Sequence, residues 1–417
     1  MDDKEQKYHI IEMLNTFDLY GCKLIKLGNA LSTLILFDEK GSASLIENIK
    51  NFIKVVFFRS KKVEIKGEGK IAFCFSHSYS SRKDYEIAIR KVISTTENTI
   101  SIFSISKFRF SLRRLISSVN VILWVRQLGK TKLELSTRIR YAIFILDCYN
   151  YCREIYGVLK NYNPNLIVTF CDVHPNDYFV VNLYNQKQIP TATLQHAMFS
   201  YNDYAFANAF SESKYFLGID DYSKMQYELS RGNANNFVTV GAMKYIGVNL
   251  HSDYEIRNTG YIGVVLSGIN FMSENEYLLD YSKRLAIQKG KKLLIRFHPS
   301  IKREKLRNIL DKNNFEIDSS TNFEEFARKA DYYLVGTTNC FGDLISDGAI
   351  AFRLVLKNDR YEGIDDFHFS SYEELVFLAD YQKQKDFGSK FQNVRNQVCA
   401  KGNIFENYKK FFDKFQD

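Results

Sequence analysis

The chain has 417 residues, too many for one ordinary hydrophobic core and enough for two. Hydrophobic residues make up 45% and charged residues 25%, proportions that exclude a disordered chain. No run approaches the roughly 18 apolar residues of a membrane span, and the first ten residues are too polar for a secretory signal. The seven scattered cysteines predict neither a disulfide framework nor structural zinc, so we expect a cytoplasmic protein with reduced thiols.

In the first half of the chain, short apolar runs predict strands. The clearest are 165–170 and 190–196, which flank a helical stretch over 177–186. A longer helix is predicted over 128–160. The other predicted strands are 34–37, 71–75, 121–124, 216–218 and 237–240.

One segment of this half is first basic and then apolar. Residues 107–114 are the densest basic stretch, and the apolar run 115–125, which contains Trp124, follows it. Basic residues beside aromatic ones suit a membrane surface that carries anionic lipid. A buried helix with a solvated basic end fits equally well. The rest of the +9 net charge is dispersed, so we expect no nucleic-acid partner, although a phosphate-rich substrate would suit that charge.

From residue 261 onward, predicted strands and helices alternate, which indicates parallel βαβ units. The strands are 261–266, 293–297, 315–317, 332–335 and 351–356. The helices are 274–288, 301–312, 323–329 and one that ends at 346.

A polar segment without periodicity, 246–260, predicts a linker between two domains. The N-terminal domain would span 1–245 and the C-terminal domain 261–385. Amphipathic helices over 386–417 would pack back towards the N-terminal domain.

Ligands of open parallel sheets bind beyond the carboxyl ends of the strands, where helix N-termini hold phosphate. Thr337, Thr338 and Asn339 occupy such a position, and their hydroxyls and amide can surround a phosphate oxygen. An ordinary helix N-cap uses the same residue types. Asp343 lies on the helix that follows, where a carboxylate can accept both hydroxyls of a ribose. The alternative is a solvated acid near a helix start.

Two further strand ends carry polar residues. Arg296 and His298 end the strand 293–297, and Pro299 fixes the turn that aims His298 at a phosphate. A structural histidine is the alternative. Ser267 and Gly268 end the strand 261–266, where glycine permits a close approach of the chain to a diphosphate.

In the first half, candidate bases follow two neighbouring strands. Asp172 and His174 come after 165–170, and His196 ends 190–196. A carboxylate or imidazole in these loops can take a proton from a hydroxyl nucleophile. We rank Asp172 first, His196 second and His174 third. A polar loop with satisfied hydrogen bonds explains each residue equally well.

Several motifs are absent from the sequence. No Asp-x-Asp triplet occurs, so we expect no metal–diphosphate site and no cofactor. The sequence also contains no Walker loop, no Gly-x-Gly-x-x-Gly and no Gly-x-Ser-x-Gly, which argues against an ATPase, a nicotinamide enzyme and an α/β-hydrolase.

Taken in order, several segments resemble the GT-B glycosyltransferases, especially bacterial enzymes of capsule, lipopolysaccharide and other surface polysaccharide biosynthesis. NPNLIVTFCDVHPNDYFVVNLYNQKQIPTATLQHA is similar to their strand, helix and IPTxxLQHG stretch. KYFLGIDDYSKMQYELSRGNANNFVTVGAMKY resembles their segment leading into the interdomain linker. RFHPS resembles the His-Pro motif of sialyl-, polysialyl- and Kdo-type transferases. GTTNCFGDLISDGAIAFRL is similar to the donor-site pattern SSSxxEALxxGxPxI. The resemblance covers roughly 160–356.

This resemblance implies an α/β fold of two Rossmann-like domains whose parallel sheets face a cleft. Thr337, Thr338 and Asn339 take its phosphate-binding positions, and Asp343 takes the place of its ribose-binding glutamate. The implied activity moves a sugar from a nucleotide-activated donor to a surface polysaccharide or a lipid-linked oligosaccharide, without a metal. The alternatives are a CDP-polyol phosphotransferase of the same fold, a sugar-nucleotide epimerase, and a catalytically degenerate partner subunit.

Overall fold

A computed structural model describes most of the chain. The described residues are 3–16, 26–36, 45–58, 60–75, 83–107, 112–130, 133–195, 210–248, 254–268, 271–298, 301, 315–320, 322–356, 365–399 and 401–416.

The first half builds a seven-stranded sheet in the order β1-β3-β2-β4-β5-β6-β7. All neighbours are parallel except β1 and β3, which pair antiparallel at one edge. The central strands are short and fully buried, because helices cover both faces of the sheet. The strands are β1 Ser60–Lys66, β2 Ile71–Phe75, β3 Thr99–Lys107, β4 Leu166–Thr169, β5 Thr191–Leu194, β6 Tyr215–Gly218 and β7 Phe237–Thr239.

The helices of this half include the longest in the described part of the chain, Leu135–Leu159. Those described ranges contain no helix that is both long and apolar enough to cross a membrane. The others are Asp3–Asn15, Leu27–Leu36, Leu45–Ile53, Lys83–Ile93, Leu112–Ser118, Asn120–Leu128, Pro175–Gln186 and Asp221–Arg231.

Two predicted strands of the first half are wrong. Segment 121–124 belongs to a helix, in which Val121, Trp124 and Leu128 face the core. Those buried positions recur every three to four residues, so the period is helical, and a four-residue apolar run could not reveal it. Residues 34–36 likewise belong to the helix Leu27–Leu36, and residue 37 lies outside the described residues. Here too the apolar run was too short to reveal the helical period.

The second half builds a six-stranded, all-parallel sheet in the order β10-β9-β8-β11-β12-β13. The predicted alternation of strands and helices is confirmed, although the helix predicted over 301–312 falls almost entirely outside the described residues. The strands are β8 Tyr261–Val265, β9 Lys292–Arg296, β10 Phe315–Ile317, β11 Tyr332–Val335, β12 Ala351–Leu354 and β13 His368–Phe369. The helices are Met272–Lys289, Phe323–Phe326, Cys340–Ser346 and Tyr372–Tyr381.

The C-terminal segment consists of two helices that pack on different cores. Helix Phe387–Val398 buries Phe387 and Phe391 in the core of the second sheet. Helix Ile404–Phe412 buries Tyr408 and Phe412 in a core formed by the first sheet. The Tyr408 hydroxyl donates to the Gly241 carbonyl at 3.0 Å. The chain thus returns to the first sheet after completing the second.

Candidate functional site

Asp172 is a buried carboxylate at the carboxyl end of β4, with only 1% of its surface exposed. Its Oδ2 atom accepts four hydrogen bonds from the segment 211–213. The Ser211 hydroxyl donates at 2.7 Å, the Ser213 hydroxyl at 2.7 Å, and the backbone N–H groups of Glu212 and Ser213 at 3.2 and 3.0 Å. Burial raises the pKa of the Asp172 carboxyl, while the four hydrogen bonds act in the opposite direction.

The two oxygens of Asp172 have different surroundings. Oδ1 is buried and has no hydrogen-bond partner among the described residues, whereas Oδ2 has four. A buried lone pair without a donor is energetically costly. The geometry therefore gives Asp172 one anchoring oxygen and one oxygen that can accept a proton.

His174 lies two residues further along the same strand end, at the start of helix Pro175–Gln186. Burial lowers the pKa of His174 to about 4, so its imidazole is neutral at pH 7 but accepts a proton less readily than an ordinary histidine. His196, the remaining candidate base, lies outside the described residues. Its neighbour Gln195 ties β5 to the next strand end, because its Oε1 accepts from the Ile219 N–H at 2.8 Å.

A second buried carboxylate, Glu274, joins two strand ends of the second sheet, and sequence reasoning missed it. Its side chain accepts from the Ser267 hydroxyl at 2.7 Å, after β8, and from the Thr337 hydroxyl at 2.6 Å, after β11. The Thr337 N–H donates to it as well. Ser267 and Thr337 therefore donate hydrogen bonds to a carboxylate in this structure, whereas the sequence predicted that they bind a phosphate. The sequence gives one weak signal, an acidic residue in the first turn of the helix after β8.

Because Gly336 has no side chain, the Glu274 carboxylate can approach the backbone that follows β11. A Cβ atom on Gly336 would lie 2.1 Å from Glu274 Oε1 and 2.5 Å from the Ser267 hydroxyl, far inside van der Waals contact. Asn275 fixes the same strand end from the other side, since its amide accepts from the Ser267 N–H at 2.8 Å and donates to the Ser267 carbonyl at 3.1 Å. The loop after β8 is thus rigidly held, with half-buried Gly268 beside it.

The other predicted phosphate ligands differ in their surroundings. Thr338 is half-buried and caps the next turn, accepting from the Cys340 N–H at 3.4 Å. Asn339 and His298 are exposed at the ends of β11 and β9. Arg296 forms an ion pair with the buried Asp318 carboxylate, so its charge is already compensated inside the fold. Pro299 lies outside the described residues.

Asp343, the predicted ribose ligand, contacts the first half of the chain. Its carboxylate forms an ion pair with Lys244, and the Tyr245 hydroxyl lies 3.4 Å from both its Oδ1 and its carbonyl oxygen. Lys244 and Tyr245 belong to the short turn that follows β7. The helix that carries Asp343 therefore rests against the first half. The described residues contain no group of three or more His, Cys, Asp or Glu side chains arranged to hold a metal ion.

No protein-family model matches the chain, and no curated protein matches it in sequence. Its structure is similar to several solved ones. The S. aureus MnaA–UDP co-structure has 13% sequence identity and a TM-score of 0.51, and the match covers 83% of this chain and 97% of that chain. The glycotransferase of kitacinnamycin has 10% identity, a TM-score of 0.51, and coverage of 84% and 100%.

A putative UDP-N-acetylglucosamine 2-epimerase from Listeria monocytogenes has 12% identity, a TM-score of 0.51, and coverage of 83% and 95%. All three matches extend across both sheets. The chain therefore has the GT-B fold, with two Rossmann-like α/β domains, and the predicted fold class is confirmed.

Proposed function

We propose that this protein is a cytoplasmic GT-B glycosyltransferase. It moves a sugar from a nucleotide-activated donor to a surface polysaccharide or a lipid-linked oligosaccharide. The fold supports the use of a nucleotide sugar, since one similar structure holds UDP and another is a glycotransferase. The observation that carries the proposal is Asp172, a buried carboxylate at a strand end with one oxygen unpaired among the described residues.

In the proposed reaction, the acceptor hydroxyl gives its proton to Oδ1 of Asp172 as its oxygen bonds to the anomeric carbon of the donor sugar. The bond between that carbon and the phosphate oxygen breaks, and the nucleotide leaves with the electron pair. A base of this kind contributes typically about 10²–10⁴-fold to the rate. If the acceptor does not reach Asp172, His196 or His174 takes this role.

The C-terminal domain would bind the donor. His298, Thr338 and Asn339 would donate hydrogen bonds to the departing phosphate, which stabilises its charge without a metal. Ser267 and Thr337 would support this site through Glu274, which fixes the loops after β8 and β11. Arg296, whose charge Asp318 compensates, would hold the end of β9 in place beside the phosphate. Asp343 would accept the ribose hydroxyls.

Burial of Asp172 constrains when it can act. With 1% of its surface exposed, its free oxygen can meet an acceptor only after the residues that cover it move aside. We expect closure of the two domains around both substrates to accompany this rearrangement and to exclude water, which suppresses hydrolysis of the donor. The contact of Lys244 and Tyr245 with Asp343 lies at the junction where such closure would act.

Thermal unfolding with UDP, GDP, TDP and CMP tests the donor side, because a ligand that binds only the folded state raises the melting temperature. One nucleotide should stabilise the protein well above the others. The product mass after incubation with the matching donor and an acceptor then distinguishes transfer of a sugar from transfer of a polyol phosphate. A protein that no nucleotide stabilises would instead be a degenerate partner subunit.

A sugar-nucleotide epimerase is the second candidate, because the putative 2-epimerase from Listeria monocytogenes matches as well as the glycotransferase does. An epimerase needs no acceptor. Incubation with UDP-N-acetylglucosamine alone, followed by proton NMR of the sugar ring, separates the two activities. A new epimer formed without acceptor would replace the transferase proposal.

A further inference from the structure

The helices Leu112–Ser118 and Asn120–Leu128 are apolar on two faces. One face, with Val121 and Trp124, is buried against the neighbouring helices. The opposite face exposes five aliphatic side chains at helical spacing. They are Leu115 at 39%, Ile116 at 66%, Val119 at 60%, Ile122 at 72% and Leu123 at 55% exposure. A helix on the protein surface normally turns polar residues to solvent, so this second apolar face indicates a binding partner.

A second set of exposed aliphatic side chains lies on a helix whose continuation packs against Leu112–Ser118. Helix Leu45–Ile53 exposes Ile46, Ile49 and Ile53, which share one helical face because they are three and four residues apart. It continues into the π-helical turn Lys54–Phe58, which packs against helix Leu112–Ser118. We call these eight exposed residues the outer apolar surface. In the second half, exposed aliphatic residues such as Ile256 and Ile287 have no exposed aliphatic neighbour within four positions of the chain.

Basic residues accompany the outer apolar surface along the chain. Between Lys107 and Lys130 the sequence contains six basic residues and no acidic one. Arg114 is compensated internally by Glu154, but Arg126 and Lys130 are exposed. Lys50 and Lys54 are exposed beside the isoleucines, with Glu47 as the one acidic residue of that helix.

We propose that the outer apolar surface binds the face of a bilayer that carries anionic lipid. The aliphatic side chains enter the boundary between headgroups and acyl chains, while the accompanying lysines and arginines attract the negative headgroups. A water-soluble protein partner would also cover the aliphatic side chains, but it does not by itself account for a segment of 24 residues, 107–130, without any acid. This docking is independent of the chemistry proposed for the cleft.

Sedimentation of the full chain with vesicles tests the proposal. The protein should bind phosphatidylcholine vesicles that contain about one third phosphatidylglycerol, bind pure phosphatidylcholine vesicles far less, and be released as salt screens the charges. Combining Ile116→Ser with Ile122→Ser should lower the partition coefficient by about tenfold or more, since each buried aliphatic side chain contributes to burial in the membrane. Combining Arg126→Glu with Lys130→Glu should reduce the preference for anionic vesicles.

Matched controls lie elsewhere on the surface. Ile287 and Phe377 are exposed to 68% and 65%, so Ile287→Ser combined with Phe377→Ser removes similar apolar area without touching the outer apolar surface. This control should bind vesicles as the original chain does. The proposal is overturned if the chain does not bind anionic vesicles, or if Ile116→Ser with Ile122→Ser leaves binding unchanged. A dimer in solution that this pair of substitutions dissociates, without vesicle binding, would assign the surface to a second copy of the chain.

Discussion

The two halves of the molecule each place a buried carboxylate at a strand end, and the two carboxylates are used differently. In the first sheet, Asp172 holds the segment 211–213 with one oxygen and keeps the other free of partners among the described residues. In the second sheet, Glu274 uses both oxygens, one for Ser267 and the backbone of Thr337, the other for the Thr337 hydroxyl.

This difference distinguishes Asp172, a carboxylate that can take part in proton transfer, from Glu274, a carboxylate that fixes the positions of other residues. A carboxylate oxygen that already accepts good hydrogen bonds is a poor base, because protonation would break those bonds. Asp172 retains a lone pair and has its pKa raised by burial, both of which favour proton transfer. Glu274 instead binds Thr337, which is 63 positions away in the chain, together with Ser267, and so holds two strand ends together.

The largest expected effect is that of Asp172→Asn on turnover. The amide keeps an oxygen for Ser211 and Ser213 but cannot take a proton, so kcat should fall by about 10²–10⁴-fold while nucleotide affinity stays the same. Steady-state kinetics and nucleotide titration measure the two quantities.

Ser211→Ala is the matched control, because it removes one hydrogen bond to Oδ2 and leaves the carboxylate in place. It should cost about 1 kcal/mol of stability and little activity. Near-normal turnover of Asp172→Asn beside an inactive His196→Ala or His174→Ala would move the base to that histidine.

Glu274→Ala should have the largest effect on stability, about 3 kcal/mol, because it leaves buried donors of Ser267 and Thr337 without an acceptor. Glu274→Gln should recover much of this loss, since the Thr337 hydroxyl can turn to accept from the new amide. Urea unfolding measures both. Glu276→Ala, two residues along the same helix and exposed, should change stability by less than about 0.5 kcal/mol. Equal losses for Glu274→Ala and Glu276→Ala would refute a bridging role.

The fold of the second half follows closely from its sequence. Strands buried on both faces appear as continuous apolar runs, so β8, β9, β11 and β12 could be predicted directly. Strand β3, TISIFSISK, lies between the edge strand β1 and β2 and largely alternates polar and apolar residues, so it does not appear as a continuous apolar run. Short apolar runs such as 121–124 are shared by strands and buried helices, so only the wider helical period distinguishes them.

The candidate site was predictable only in part. Position after a strand is enough to select Asp172, His298 and Thr337, because parallel strands direct their carboxyl ends to one side. The role of Glu274 was not predictable, since an acidic residue in a first helical turn is ordinary and its partners are distant in sequence. Contacts of this kind exist only in the folded chain.

Asp220 is a third buried carboxylate and follows β6. It extends the comparison because its protonation makes the stability of the fold depend on pH. Its Oδ1 caps the helix Asp221–Arg231, accepting from the Ser223 N–H at 2.6 Å, while Oδ2 has no partner among the described residues. Burial raises the pKa of Asp220 from 3.8 to about 7. The folded chain then binds this proton more tightly than the unfolded chain does. The stability it contributes is fully present below about pH 4 and is lost as the pH rises to about 7.

Asp220→Asn cannot ionise and remains a good helix cap. Its stability relative to the original chain should therefore increase between pH 4 and pH 7, by about 1.4 kcal/mol for each unit of raised pKa. Urea unfolding across this pH range measures the difference. Asp221 is an exposed neighbour, so the difference in unfolding free energy between Asp221→Asn and the original chain should stay constant across this pH range. A constant difference between Asp220→Asn and the original chain would mean that burial does not raise the pKa of Asp220.

The smallest expected effect concerns the ion pair between Lys244 and Asp343, where the two halves touch. Lys244 is 48% exposed and Asp343 15%, so the pair should add less than about 1 kcal/mol to stability. The ion pair competes with the ribose, because a ribose that binds Asp343 must first displace the ammonium group of Lys244.

Lys244→Met should therefore leave the melting temperature nearly unchanged and tighten binding of the free nucleoside by up to about fivefold. The difference between this variant and the original chain should shrink as salt screens the ion pair of the original chain. Lys401→Met, which removes an exposed pair with Asp221 and leaves Asp343 untouched, should alter neither quantity. Calorimetric titration with the nucleoside of the nucleotide selected by thermal unfolding decides the matter. Weaker binding in Lys244→Met would make Lys244 a ligand of the donor rather than a competitor for Asp343, and unchanged binding would remove Asp343 from the ribose site.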